Sequence, residues 1–332
     1  IELRRSLLKK SQIKSIYFGG GTPALVGPKY IETILKALNI PLQDIEITLE
    51  LNPENHSLDL LKGFRDVGVN RLSIGVQSFD PSLLKKLGRS HSVQDIHEAL
   101  QNARLAGFTN ISIDLMYDLP TQSLPLWKRT LDKALSYPIT HLSLYNLSIE
   151  KETVFYKYRN QIKKQMPSEE LSLSLFHEAC KSLKEKGFEP YEISAFCKSG
   201  AYSRHNVGYW LQRPHLGFGP SAFSLLKPKR FQNVKNLKKY SELLNQNKLP
   251  IDFKEELEQE AFLRESLALH LRLLNGFDQS LFQKRFGTFS EELSDVIELL
   301  KKRGWIKHNQ NTLSLTSEGL LYHDSLASEL VY

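Results

Sequence analysis

The chain has 332 residues, 41% hydrophobic and 24% charged, with 44 Lys and Arg against 37 Asp and Glu for a formal charge of +7. That composition suits a soluble globular protein of one large α/β domain and a smaller one, and it excludes disorder, collagen or coiled coil as whole-chain descriptions. The positive surplus is spread along the chain, so it permits anionic partners without demanding nucleic acid. Two cysteines, Cys180 and Cys197, exclude a disulfide framework and predict a reducing, cytoplasmic setting. No apolar stretch approaches a membrane span, and no signal peptide is read. Ile1–Lys10 reads as the end of an amphipathic helix. With no initial Met, the expectation is that a further segment precedes Ile1.

Five strand-like runs follow in order: Ser15–Phe18, Ile45–Leu51, Arg71–Val76, Ile111–Met116 and Leu142–Leu147. A sixth, weaker run is Tyr191–Ser194. Helical patterns lie between them at Lys29–Leu38, Leu58–Val67, Val93–Ala106, Leu126–Leu135 and Leu171–Lys186. Strand and helix alternating at this spacing predict βαβ units and a parallel sheet. Gly68, Gly107 and Gly187 each follow a helical run, where a left-handed cap suits glycine. The pattern breaks after about Ser194. Gly and aromatic residues cluster from Tyr202 to Phe223, and Lys227–Lys239 carries six basic and no acidic residues. That run reads as a solvated basic face, with anionic lipid headgroups, and so transient membrane association, as a candidate partner. Helical patterns at Ala261–Leu274, Gln279–Phe286 and Glu291–Arg303, two short strands at Trp305–Lys307 and Thr312–Leu315, and a closing helix at Ser317–Leu326 predict a winged-helix-like module. The expected division is a barrel over residues 1–195, a connecting segment over 196–250 and a mostly helical module over 251–332.

The first five strands carry polar groups at or near their C-terminal ends. Gly19-Gly20-Gly21-Thr22 follows the first, Glu50-Leu51-Asn52 ends the second, Gln77-Ser78 the third, Asp114 lies in the fourth and Tyr145-Asn146 ends the fifth. In a parallel barrel these positions converge on one mouth. A carboxylate in an apolar strand is costly unless paired or bound, so Glu50 and Asp114 point either to an internal network, with Arg71 as a partner, or to a ligand. The glycine run lacks the Lys of a phosphate loop and the spacing of a dinucleotide fingerprint. A small zwitterion or polar cofactor fits it better.

The blocks Ile16–Pro23, Glu50–Pro53, Asn70–Phe79, Leu87–His91 and Ile113–Pro120, in that order and spacing, resemble the radical S-adenosylmethionine proteins of the HemN/HemW group. The resemblance covers nearly the whole chain. It implies an α/β fold, a partial (β/α)6 TIM-like barrel, with S-adenosylmethionine at the strand C-terminal ends and a [4Fe–4S] cluster held by a Cys-x3-Cys-x2-Cys loop. By the same resemblance Gly20, Gly21 and Thr22 meet the amino group of S-adenosylmethionine. Glu50, Gln77 and Asp114 bond its ribose and polar end, Arg89 pairs with its carboxylate, and Tyr145 lines the pocket. Where the group usually has Gly, this chain has Thr121. The sequence holds no Cys-x3-Cys-x2-Cys, so no cluster ligand is expected from its own residues. That loop belongs upstream of the glycine motif, before Ile1. Radical cleavage by these residues alone is not expected.

Arg204-His-Asn-Val-Gly-Tyr-Trp210 resembles the HemW branch, considered haem chaperones, and implies haem and haem-acceptor proteins as partners. His205 is read either as an axial ligand of haem iron or as a hydrogen-bonded loop anchor. Tyr209 and Trp210 are candidates to stack on a porphyrin, and His215 is a competing ligand. The rival readings are an oxygen-independent coproporphyrinogen III dehydrogenase and an RNA-modifying radical protein. The acidic start of Glu291–Arg303 argues against a DNA-reading helix, so no specific nucleic acid is expected. Monomer and homodimer both stay open.

Overall fold

The computed structural model describes residues 1–9, 12–151 and 153–332. Lys10, the last residue of the predicted opening helix, lies outside them. The chain forms two compact units, one of Ile13–Tyr202 and one of Ile1–Gln12 together with Ser203–Tyr332. No helix among the described residues is long and apolar enough to cross a membrane.

In the unit Ile13–Tyr202 a curled half-barrel sheet holds β1 (Ser15–Phe18), β2 (Glu46–Leu51), β3 (Arg71–Gln77), β4 (Asn110–Tyr117), β5 (His141–Asn146), β6 (Glu189–Glu192) and β7 (Ala195–Cys197). The strand order is β1-β2-β3-β4-β5-β7-β6. The first five are parallel, and helices Pro28–Leu38, Leu58–Asp66, Val93–Leu105 and Leu124–Leu135 make the crossovers. The sixth run is not a further parallel strand. It belongs to an antiparallel hairpin, with β7 antiparallel to β5. The two residues between β6 and β7 leave no room for the crossover that a parallel pair needs.

Register sorts the side chains by face. Glu50 lies opposite Ser73, Ser73 opposite Ser112 and Ser112 opposite His141. With a period of two, Thr48, Arg71, Asp114, Ser143 and Tyr145 share that polar face. The other face presents Ile47, Leu49, Leu51, Leu72, Ile74, Ile111, Ile113, Leu115, Leu142 and Leu144, all buried. Buried helix residues such as Leu61, Phe64, Leu100, Trp127 and Leu183 complete the core. Each such aliphatic side chain contributes roughly 1.5–3 kcal/mol of burial. The apolar layer holds the sheet together and leaves the opposite face for polar groups.

The second unit begins with the short N-terminal helices Glu2–Arg4 and Arg5–Lys9 and resumes with helix Arg204–Trp210. Then come β8 (Phe223–Leu226), β9 (Lys229–Asn233), helix Leu237–Asn245 and β10 (Ile251–Glu256), with sheet order β10-β9-β8. Residues 196–250, read from the sequence as a connecting segment, thus hold two helices and an antiparallel hairpin. Helices Gln259–His270, Gln279–Phe286 and Glu291–Lys302 follow, with β11 (Phe277–Asp278), β12 (Ile306–Asn309) and β13 (Thr312–Leu315) in the order β11-β13-β12. The closing helix is interrupted at Tyr322, which separates Ser317–Leu321 from His323–Val331. Arg4 is 5% exposed and ties the N-terminal helix into this unit through Gly217 O, Ser224 Oγ and Asn233 Oδ1.

The basic run is not a uniformly solvated face. Antiparallel β9–β10 pairing sets Lys229 beside Glu256 and Arg230 beside Glu255; Arg230 also pairs with Glu265 on helix Gln259–His270, and Lys239 on helix Leu237–Asn245 pairs with Asp252. Lys227 instead lies over the rings of Phe286 and Phe262, and burial pushes its ammonium down to about 8.

Candidate functional site

The glycine turn after β1 and the end of β2 are bonded to each other. Tyr17 Oη donates to Glu50 Oε1 at 2.7 Å, and Gly20 N donates to Glu50 Oε2 at 3.0 Å. Asn52 Nδ2 donates to Thr22 Oγ1 at 3.0 Å. Both Glu50 oxygens keep a second lone-pair direction for another donor. Burial, and after it the Glu50 charge, holds the Tyr17 phenol far above its ordinary range, so it stays a donor. Gly20 and Gly21 have φ of 80° and 64°, a left-handed turn that suits glycine. A β-carbon on Gly19 would stand 2.6 Å from the Tyr17 ring and 3.0 Å from the Glu50 carboxyl. The turn therefore packs directly on the carboxylate.

Asp114 shares the polar face with Glu50. Desolvation pushes its carboxyl up to about 6, against hydrogen bonds from Ser143 and Ser73 and the positive charge of Arg71, with the Glu50 charge adding to the rise. Arg71 is 2% exposed, and its Nε has no hydrogen-bond partner among the described residues; Thr48 Oγ1 beside it is likewise unpartnered there. Tyr145 is 46% exposed as a residue, while lost solvation and then the Asp114 charge raise its phenol to about 12. Gln77 ends β3 after a bulge, at φ 65°. A β-carbon on Gly75 would lie 3.0 Å from Gln77 Nε2, 3.6 Å from Asn52 Oδ1 and 4.0 Å from Arg89 Nη2. Gln77 and Arg89 are thereby brought together. Arg89 forms no ion pair among the described residues.

The sequence reading missed part of this face. Ser112 Oγ lies 2.8 Å from His141 Nδ1, and His141 Nε2 lies 2.9 Å from Tyr191 Oη. His141 is fully buried, and desolvation holds its pKa well below the ordinary value, so it is neutral. Alternation of polar residues along Arg71-Leu-Ser73, Ser112-Ile-Asp114 and His141-Leu-Ser143-Leu-Tyr145 is the signal that marks this face in the sequence.

In the second unit, His205 and Tyr209 stand one turn apart on helix Arg204–Trp210, their rings edge-on at 4.7 Å. His215 meets the same Tyr209 ring at 4.6 Å. The two imidazoles thus share one phenol. Burial lowers the pKa of His215, which favours the neutral, ligating imidazole. Tyr209, Trp210 and His215 line a cavity of about 250 Å³; His205 does not. Trp210 is covered by Arg272, whose guanidinium carbon lies 4.2 Å from the indole centroid.

The cysteines do not fit an iron–sulfur cluster. Cys197 lies buried on β7, and Cys180 is half-buried on helix Glu169–Glu185. Burial pushes both thiols up to about 11, away from the thiolate that ligates metal. No group of three or more His, Cys, Asp or Glu among the described residues is set to hold a metal ion.

Residues 2–134 match the family described as Radical SAM superfamily, and residues 257–322 match the HemN C-terminal domain. The chain is 33% identical over 327 residues to Heme chaperone HemW of Bacillus subtilis (strain 168), covering 96% of this chain and 86% of that protein. It is 33% identical over 365 residues to Radical S-adenosyl methionine domain-containing protein 1, mitochondrial, of Bos taurus, covering 99% of this chain and 80% of that one. Among solved structures, coproporphyrinogen III oxidase (HemN) from Escherichia coli, a Radical SAM enzyme, superposes with a TM-score of 0.82 at 23% identity, over 99% of this chain and 81% of that one. At that identity the likeness is one of fold. The half-barrel with its polar strand ends, the C-terminal module and relatives matched over nearly the full chain place the protein in one family: it belongs to the radical SAM proteins, as a member of the HemW type.

Proposed function

We propose that the protein is a haem chaperone that binds S-adenosylmethionine on the half-barrel and haem on the second unit, and hands haem to acceptor proteins. The observation that carries the haem reading is the pair of imidazoles, His205 and His215, against the one Tyr209 ring. His215, whose pKa burial lowers, offers a neutral imidazole nitrogen for iron, and His205 is the second imidazole on the same ring. The relatives named as haem chaperones support the same reading.

The polar face fits S-adenosylmethionine by its chemistry. Glu50 and Asp114 suit a ribose diol and a sulfonium, and Arg89 has a free fork for a carboxylate. Arg71 Nε and Thr48 Oγ1, buried and unpartnered among the described residues, leave donors on that face. Gly20, Gly21 and Thr22 let a ligand's ammonium approach the backbone, with Gln77 and Tyr145 at the strand ends. When bound, S-adenosylmethionine supplies an activated sulfonium; the chain's own residues orient it and keep water from its polar end. The cluster of this family has no ligand set among these residues, and no step is drawn through it.

Two titrations test the reading. Arg89→Ala is expected to weaken S-adenosylmethionine binding roughly 10–100-fold by calorimetry, the worth of a charged hydrogen-bonded pair. Unchanged affinity removes Arg89 from the site. For haem, His205→Ala and His215→Ala are titrated with absorbance in the Soret region. A weakened or shifted band identifies the ligand, and two unaltered spectra exclude both imidazoles. Matching circular dichroism guards against a lost loop contact posing as lost ligation.

A further inference from the structure

The cavity of about 250 Å³ in the second unit holds more positive charge than its own carboxylates neutralise. Its walls include the rings of Tyr209, Trp210 and Phe223, with Arg213, His215 and Arg230 among the polar residues. Arg230 is satisfied, pairing with Glu255 and, at 2.8 Å, with Glu265. Glu265 also accepts from Gln212 Nε2 at 3.1 Å. Arg213 differs. It is half-buried and forms no ion pair among the described residues. Arg285 stands close enough that the Arg213 charge adds to desolvation in lowering its pKa, while its Nη2 donates to Gln212 O at 3.2 Å. Neither guanidinium faces a carboxylate among the described residues. A second, independent sign is Trp210 Nε1, a buried donor with no acceptor among the described residues.

An unpaired cation and an orphaned donor beside one cavity call for an anionic acceptor. Aromatic walls call for a flat ligand. The volume falls below the ~300–1,000 Å³ usual for a site that engulfs its ligand, so an edge enters rather than a whole macrocycle. We propose that this cavity takes the carboxylate-bearing edge of a porphyrin, with Arg213 as the residue that anchors the carboxylate. The assignment rests on the haem reading above and adds the part of the ligand that the second unit grips.

The test compares protoporphyrin IX with its dimethyl ester, in one detergent, by quenching of tryptophan fluorescence, with haem titrated alongside. Wild type is expected to bind the free acid roughly tenfold or more tightly than the ester. Arg213→Gln is expected to bring the free acid down to the level of the ester, leave the ester unchanged and keep the Soret maximum of bound haem in place. Arg213→Lys should recover part of the preference, since it keeps charge but loses the fork. Haem binding with an undiminished acid preference in Arg213→Gln overturns the anchor and leaves the haem reading standing. Wild type that binds haem with no acid preference does the same. Wild type that binds neither haem nor porphyrin overturns the haem reading, and the anchor with it.

Discussion

Asp114 shows what a polar barrel face costs a single residue. Its carboxyl titrates at about 6 against an ordinary 3.8, chiefly because the site strips its water while Arg71, Ser143 and Ser73 return only part of the loss. Glu50, Tyr17 and Tyr145 also face it. A folded-state pKa above the unfolded one means that the native protein holds the proton more tightly. Stability from this group is therefore full below about pH 4 and is lost as pH rises through about 6. A shift of about two pH units corresponds to at most about 3 kcal/mol. Asp114→Asn removes that slope. In urea unfolding without ligand, the variant should gain on wild type at pH 8 and lose most of that gain at pH 4.5. Equal differences at both pH values would show that Asp114 ionises normally. The same argument gives the residue a use: a bound sulfonium would stabilise the ionised form, so S-adenosylmethionine should bind more weakly below pH 6.

At the scale of elements, the strands with apolar runs and glycine-capped helices were legible in the sequence, and β1 and β13 match the predicted bounds residue for residue. The β8–β9 hairpin was not. In Phe223–Leu226 two buried residues stand side by side, and in Lys229–Asn233 three half-buried residues do, so burial imposes no clean alternation. The site was legible where a residue type is rare in its setting, as with Glu50 or Asp114 in an apolar strand. Tyr17, His141 and Ser112 were not, because a buried Tyr, His or Ser fits many cores and only the cross-strand register shows what they face. Thr121 stands where relatives were expected to carry Gly, and it adopts φ 66°. Its amide donates to Gln165 O at 2.7 Å, and Lys86 Nζ reaches its hydroxyl. A β-branched residue in the left-handed region costs roughly 1–2 kcal/mol, of which glycine's larger unfolded-state entropy offsets part. Thr121→Gly should therefore raise stability by about 0.5–1 kcal/mol in thermal or urea unfolding. A loss of stability would mean that the Lys86 contact outweighs the strain.

At the scale of the whole molecule, the chain begins in one unit, builds the half-barrel and returns to the unit where it began. Arg4 shows how the first turns are held. Its guanidinium donates to Gly217 O at 2.9 Å, Ser224 Oγ at 3.3 Å and Asn233 Oδ1 at 3.1 Å, and lies 4.8 Å from the Phe231 ring centroid. Ser224 Oγ in turn accepts from Gly217 N, and Asn233 Nδ2 donates to Gly217 O and Gly219 O. One side chain thus closes a network linking the N-terminal helix, the loop at Gly217 and strands β8 and β9. Arg4→Ala leaves acceptors in that network without their donor, a loss of about 2–4 kcal/mol where hydrogen bonds to a charged group are removed. Arg4→Lys keeps the charge but not the fork, so it should recover only part. Because every partner of Arg4 among the described residues lies in the unit Ile1–Gln12 with Ser203–Tyr332, the loss should be local. Amide exchange is expected to quicken across β8 and β9 in Arg4→Ala, while β2 to β5, whose pairing involves none of these residues, keep their wild-type protection. Equal quickening of both sheets would show that the two units unfold as one, and no change in β8 and β9 would show that Arg4 holds nothing there.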